Sequence, residues 1–251
     1  MSDTTHSNRV AIVTGGARRI GAEIARCLHQ RGLRVCLHYR SSNADAEALI
    51  GALNQVRPES ACGVVAELSD AAAPARIRDA ALQAFGRIDV LINNASAFYP
   101  TPIAEATQTQ WDELMASNLR GPFFLSQACA PALSEAGGAI VNLVDIHAEV
   151  PLAQHPIYCM AKAGLVMQTR SLAKDLAPAV RVNAVAPGSI LWPEGDAADT
   201  PEAQAAILAC VPMRRQGEPA DIANMVTFLA LDAPYVTGQV VAVDGGRSLH
   251  R

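Results

Sequence analysis

Short apolar, β-branched runs alternate along this chain with alanine-rich stretches. The runs Val10–Thr14, Arg34–His38, Ala61–Val65, Val90–Asn93, Ala139–Val144, Arg181–Ala186 and Val240–Val243 have the length of strands. Most are apolar throughout rather than at every second position, which suits a parallel sheet covered on both faces. Between them, stretches such as AEIARCLHQRG and IRDAALQAFG carry apolar residues at helical spacing and end on glycine. Seven such repeats, with no long linker or internal repeat, predict one α/β domain over residues 1–251. It should be a doubly wound, parallel seven-stranded sheet with helices on both faces. The segment Ser189–Thr200, SILWPEGDAADT, breaks the rhythm. Ligands of open α/β sheets bind beyond the carboxyl ends of strands, so a substrate loop is expected over about 189–210, with a plain surface loop as the alternative.

Composition narrows the class. Half of the 251 residues are hydrophobic, enough for a large core, and the net charge is −4. That balance argues against a general binder of nucleic acid or anionic membrane. The N-terminal MSDTTHSN is polar and reads as no signal peptide, and no stretch is apolar enough to span a bilayer. The six cysteines form no CxxC pair and no metal-ligand pattern, as expected of reduced thiols in a cytoplasmic protein.

The first predicted strand runs into TGGARRIG and then a helix, the setting a dinucleotide-binding turn requires. Gly15 and Gly16 would let the backbone approach a pyrophosphate, and Gly21 would allow close packing where the helix begins. The helix N-terminus would offer free N–H groups to the phosphates. Arg19, directly after Arg18, stands where such a turn commonly has glycine. The second strand ends in His38-Tyr39-Arg40-Ser41-Ser42, with no acid before Asp45. A carboxylate there would bond a ribose 2′-hydroxyl and repel a 2′-phosphate, whereas a guanidinium and hydroxyls would bind the phosphate. NADP(H) is therefore expected, with Arg18 adding charge; a solvated basic turn is the alternative. Glu67 and Leu68 after the third strand are placed to meet the adenine, and Asn93-Asn94-Ala95 after the fourth to line the nicotinamide side.

Tyr158 and Lys162 lie four residues apart, on one face of a predicted helix. A nearby ammonium is expected to lower the phenol's pKa and help it exchange a proton near neutrality. Taken alone, this spacing is common on exposed amphipathic helices.

Together, Thr14-Gly15, Gly21, Asn93-Asn94-Ala95, Asn118, Tyr158 with Lys162, and Pro187-Gly188 resemble the short-chain dehydrogenase/reductase family over nearly the whole chain. TGGARRIG, VCLHYR, NNASAFYPTP and NLVDIHAEVPL further resemble its pteridine reductases, including bacterial dihydromonapterin reductases. Asp145 is the most specific feature, since generic members carry serine there. The resemblance implies a Rossmann-type fold, NADPH, and a catalytic set of Asp145, Tyr158, Lys162 and Asn118. It implies cofactor contacts from Gly15, Arg18, Arg19, Ile20, His38, Tyr39, Arg40, Ser41, Glu67, Leu68, Asn94, Ala95, Ser96, Tyr158, Lys162, Pro187, Gly188 and Ser189. A pterin or folate would meet Arg19, Ser96, Phe98, Asp145 and Tyr158, with Phe98 stacking on it opposite the nicotinamide and Tyr99 shaping the outer pocket. No metal is implied, and a homotetramer packed partly through YVTGQVVAVDGGRSL is. Glu67 stands where these enzymes usually have aspartate.

Physical chemistry gives the serine-to-aspartate difference meaning. A serine hydroxyl helps hold a carbonyl oxygen as it becomes an alkoxide; a carboxylate would repel it. A ring C=N instead needs a proton on nitrogen as hydride reaches carbon, which Asp145 and Tyr158 could manage together. His147 ranks below Asp145 as an acid–base group. Three functions remain open: a dihydropterin reductase, a generic reductase of ketones such as 3-oxoacyl thioesters, and a non-catalytic NADPH-binding protein.

Overall fold

The computed structural model describes residues 8–192 and 200–249. Strand β1 (Val10–Thr14) leads into helix α1 (Arg19–Gln30), followed by β2 (Arg34–Tyr39), α2 (Asn43–Val56), β3 (Ala61–Val65) and α3 (Ala73–Phe85). The second half runs β4 (Val90–Asn93), α4 (Gln108–Met115), α5 (Gly121–Ala136), β5 (Ala139–Leu143), α6 (Pro156–Asp175) and β6 (Arg181–Pro187). Helices α7 (Pro201–Ala209) and α8 (Pro219–Thr227) precede the last strand, β7 (Val240–Val243). The seven strands form one sheet in the order β3-β2-β1-β4-β5-β6-β7, and every neighbouring pair is parallel.

The apolar strands are explained by two cores. Successive side chains of a strand point to opposite faces. Ala11, Val13, Val35, Leu37, Val90 and Ile92 face one core, with Ile24 and Leu28 of α1 and Ile222 and Val226 of α8. The intervening Ile12, Cys36 and Leu91 face the other, with Ile77 of α3 and Leu125 and Leu133 of α5. The edge strands β3 and β7 are only partly covered.

Strand ends depart slightly from the sequence reading. Strand β2 gains Tyr39, whose register partner is Val65, and β6 gains Pro187, opposite Val243. Strand β5 stops at Leu143, although the Val144 N–H still donates to Val185 O. The later part of the expected substrate loop is helix α7, with Thr200 as its N-cap. Residues 193–199, the heart of the expected lid, lie outside the described residues.

Candidate active site

The carboxyl ends of β1, β2, β4, β5 and β6 meet along one edge of the sheet. At β1, the Thr14 hydroxyl oxygen accepts from the Asn94 and Ala95 N–H groups at 2.9 and 3.0 Å. Asn94 Nδ2 donates back to Thr14 O and Gly15 O at 2.9 and 3.1 Å. The NNA segment thus clamps the glycine turn. Gly15 has φ +60°, and a Cβ there would press on Ala95 and Asn94. A Cβ on Gly21 would collide with the Gly15 carbonyl. These glycines leave an open cradle at the start of α1, shaped as a pyrophosphate requires.

Arg19 adopts φ 53°, a left-handed conformation in which glycine is at ease and an L side chain costs about 1–3 kcal/mol. The backbone at Arg19 is thus one that a glycine would adopt without strain. Its guanidinium donates to Trp192 O at 3.3 Å, reaching from the first turn to the segment beyond β6. Ile20 packs its side chain on the core.

A cleft of about 250 Å³ is lined by Gly15, Arg18, His38, Tyr39, Arg40 and Ser41, and on its far side by Glu67, Leu68, Ala95 and Ser96. His38 is part of its floor. Its buried ring takes the Gly15 N–H at Nδ1 (3.4 Å) and donates from Nε2 to Ala66 O (3.0 Å), tying three strand ends together. Burial lowers its pKa and keeps it neutral. Each expected phosphate-binding cation already has a carboxylate beside it: Arg18 lies 3.5 Å from Asp45, and Arg40 lies 3.5 Å from Glu67. All four side chains are about half exposed, so these pairs are worth no more than about 1 kcal/mol and can exchange for a phosphate. Pro187, Gly188 and Ser189 stand apart from this cleft. Gly188 N–H donates to Val243 O, and the Ser189 hydroxyl accepts from Arg247.

The proton-handling groups converge from β5 and α6. The Tyr158 hydroxyl donates to Asp145 Oδ2 at 2.7 Å, while the His147 N–H fixes Oδ1 at 2.9 Å. Lys162 is buried, donates to Leu143 O at 2.8 Å, and lies 5.6 Å above the Tyr158 ring centre. Burial lowers the Lys162 pKa to about 8, partly opposed by Asp145. The expectation for the phenol is overturned. Burial, then the Asp145 carboxylate, push the Tyr158 pKa well up, because a desolvated phenol beside an anion resists becoming a second anion. Tyr158 is thus a neutral proton donor in this structure.

Asn118 sits in a π-helical turn, Ala116–Arg120, between α4 and α5. Its amide donates to Ala97 O and Leu114 O at 2.9 and 3.0 Å and accepts from the Ser96 hydroxyl at 2.6 Å. The nearby Ser96 hydroxyl acts the other way on Tyr158, lowering its pKa, but by less than burial and Asp145 raise it. Phe98 is half exposed and packs edge-on against Tyr158 at 4.8 Å. Its other neighbour, His155, was not singled out by sequence although it lies three residues before Tyr158; the rings stack at 4.7 Å and 9°. The Tyr99 hydroxyl is committed to Glu113 at 2.9 Å, and burial ahead of Glu113 raises its pKa to about 12. His147 turns its ring to Val150 O, away from Tyr158's partner atom. Behind the site, a buried polar chain runs from Asn93 through Asn142 to Thr169 of α6, at 2.8 and 2.9 Å. Asn142 opens the stretch NLVDIHAEVPL but has no role of its own in the sequence reading, and Thr169 is marked only by its burial.

A family model described as enoyl-(acyl carrier protein) reductase, of the short-chain dehydrogenase type, matches residues 15–248. The chain belongs to the short-chain dehydrogenase/reductase family. Among its relatives, pteridine reductase 1 of Leishmania tarentolae is 36% identical over 290 aligned positions, covering 99% of each chain. A 3-oxoacyl-(acyl-carrier-protein) reductase of Staphylococcus aureus is 37% identical over 240, covering 94% of this chain and 96% of that one. A short-chain type dehydrogenase/reductase of Picea abies is 35% identical over 250, covering 95% and 92%. As a short-chain dehydrogenase/reductase, the protein is an oxidoreductase whose relatives use NAD(P)H. The cradle at Gly15, the open start of α1 and the basic cleft fit such a dinucleotide. Among the described residues, no helix is long and apolar enough to cross a membrane, and no three metal-ligating side chains cluster.

Proposed function

We propose that this short-chain reductase is an NADPH-dependent pteridine reductase. It takes dihydrobiopterin, dihydromonapterin or dihydrofolate to the tetrahydro form, and acts on fully oxidised pterins as well. The observation that carries the reading is the 2.7 Å bond between Tyr158 and Asp145, an aspartate being what the resemblance to pteridine reductases puts at this position. Arg18, Arg40 and Ser41 would hold the 2′-phosphate, and the turn at Gly15 the pyrophosphate. A nicotinamide held there would supply the hydride. Tyr158, kept neutral by burial and Asp145, delivers a proton to the ring nitrogen directly or through a water. Asp145 holds the proton's orientation while accepting from Tyr158, and Lys162 fixes the ribose side of the pocket. Phe98, packed against Tyr158, presents an aromatic face for a flat heterocycle. Arg19 reaches the polar edge of the pterin.

The second reading, a 3-oxoacyl thioester reductase, is favoured by the similar identity of the Staphylococcus aureus relative. A purely NADPH-binding role is disfavoured by the bond from Tyr158 to Asp145, since a pure binder needs no proton relay. A cytoplasmic homotetramer packed partly through YVTGQVVAVDGGRSL goes with the resemblance to pteridine reductases; the exposed Phe123, Phe124 and Met167, which line an apolar groove on α5 and α6, support association between copies. The test is NADPH and NADH oxidation with a panel of dihydropterins, folates and 3-oxoacyl thioesters. Turnover of thioesters with none of pterins overturns the reading.

A further inference from the structure

Three of the six cysteines converge in one place. Cys36 of β2 and Cys62 of β3 are direct register partners, and Cys36 and Cys129 of α5 belong to the same buried core, against which Cys62 packs. Register partners on neighbouring strands share a face, and strands lie about 4.8 Å apart, inside the Cα separation a disulfide spans. The two thiols are unequal. Cys36 is fully buried, whereas Cys62 on the edge strand is partly open. The neighbouring Cys36 thiol lowers the pKa of Cys62, whereas Cys62 and burial raise that of Cys36. The accessible sulfur is thus also the more nucleophilic one.

We propose that Cys36 and Cys62 are a modification site: a dithiol that a hydroperoxide closes to a disulfide, with Cys62 attacked first and Cys36 resolving it. The Cys62 thiolate attacks a peroxide oxygen; an S–O bond forms, the O–O bond breaks, and the departing oxygen takes a proton and leaves as water or alcohol. The Cys36 thiol then attacks the Cys62 sulfur. The S–S bond forms, the S–O bond breaks, and hydroxide leaves as water with the Cys36 proton. The two sulfurs lose the two electrons that the peroxide gains.

The site lies directly under the cleft proposed for NADPH, on which its consequence rests. Cys36 is two residues before His38, whose ring holds Gly15 N–H and Ala66 O. The next residue after Cys62 is Gly63, where even a Cβ would fall 3.0 Å from the Tyr39 ring. Closing the S–S bond pulls the two sulfurs inside their contact distance and turns both side chains, a strain that passes along β2 to His38 and Tyr39 and so to the basic turn at Arg40 and Ser41.

The test treats the full chain with hydrogen peroxide, caps the remaining thiols and maps the peptides, with NADPH binding followed by fluorescence. The expected map joins the Cys36 and Cys62 peptides, lighter by two hydrogens, while Cys27, Cys129, Cys159 and Cys210 are capped. NADPH affinity should fall about tenfold, a usual scale for coupled sites, and recover with dithiothreitol. Cys62→Ala and Cys36→Ala should each bind NADPH as the reduced wild type does and lose the response to peroxide. A peptide map without the link, or a linked protein that binds NADPH as tightly as the reduced one, overturns the proposal. Failure of the reduced protein to bind NADPH overturns instead the reading of the cleft.

Discussion

The Tyr158 hydroxyl donates to the Asp145 carboxylate at 2.7 Å, and that carboxylate is fixed in turn by the His147 N–H. Tyr158→Phe should therefore lower dihydropterin reduction about 10²–10⁴-fold, the usual worth of a positioned general acid. Because burial and then Asp145 raise the phenol's pKa, Tyr158 keeps its proton through neutral pH, and activity should fall only on the alkaline side. Asp145→Asn removes the anion that opposes ionisation, so that limb should move to lower pH. Rate profiles of wild type and Asp145→Asn check this; an unmoved limb separates the two residues. Asp145→Ser should lose pterin reduction while keeping or gaining ketone reduction.

Arg19 joins the first turn to Trp192 O while sitting at φ 53°. Arg19→Gly should therefore leave stability within about 1 kcal/mol of wild type, since the left-handed backbone suits glycine. It should raise KM for the dihydropterin more than it weakens NADPH binding. Thermal melts and steady-state kinetics measure the two effects, and a larger loss of NADPH affinity would make Arg19 a phosphate anchor.

Arg40 faces Glu67 at 3.5 Å across the lip of the cleft. Arg40→Ala should weaken NADPH binding about 10- to 100-fold, the worth of a hydrogen bond to a charged group, and leave NADH little changed. Isothermal titration with both dinucleotides reads the difference. Equal losses for the two would remove Arg40 from the 2′-phosphate.

Asn142 connects Asn93 to Thr169 in a fully buried chain. Asn142→Ala leaves a buried amide donor of Asn93 with only Ser126, and a threonine hydroxyl without its donor. Destabilisation of about 2–3 kcal/mol is expected by denaturant titration. Because this chain seats α6 on β5, turnover should fall along with stability.

The strand and helix pattern was legible because each element's burial is local. Ile12 and Val13 are both apolar since both faces of β1 are covered, so neither needed its neighbours to be recognised. Motif spacing likewise placed Thr14, Asn94, Tyr158 and Lys162 at one sheet edge. Asp145 could be singled out because it stands thirteen residues before Tyr158, where the family resemblance implies serine.

Sequence by itself thus determined the sheet, the order of its helices and the chemical inventory of the site. Tertiary structure alone decided what those groups do to one another. It set His38 beneath the cleft, gave Arg18 and Arg40 the carboxylates Asp45 and Glu67, and laid His155 on Phe98. It also reversed the expected shift of Tyr158. Spacing along a helix reveals that an ammonium is near, but desolvation and a carboxylate arriving from the turn after β5 depend on the whole packed assembly.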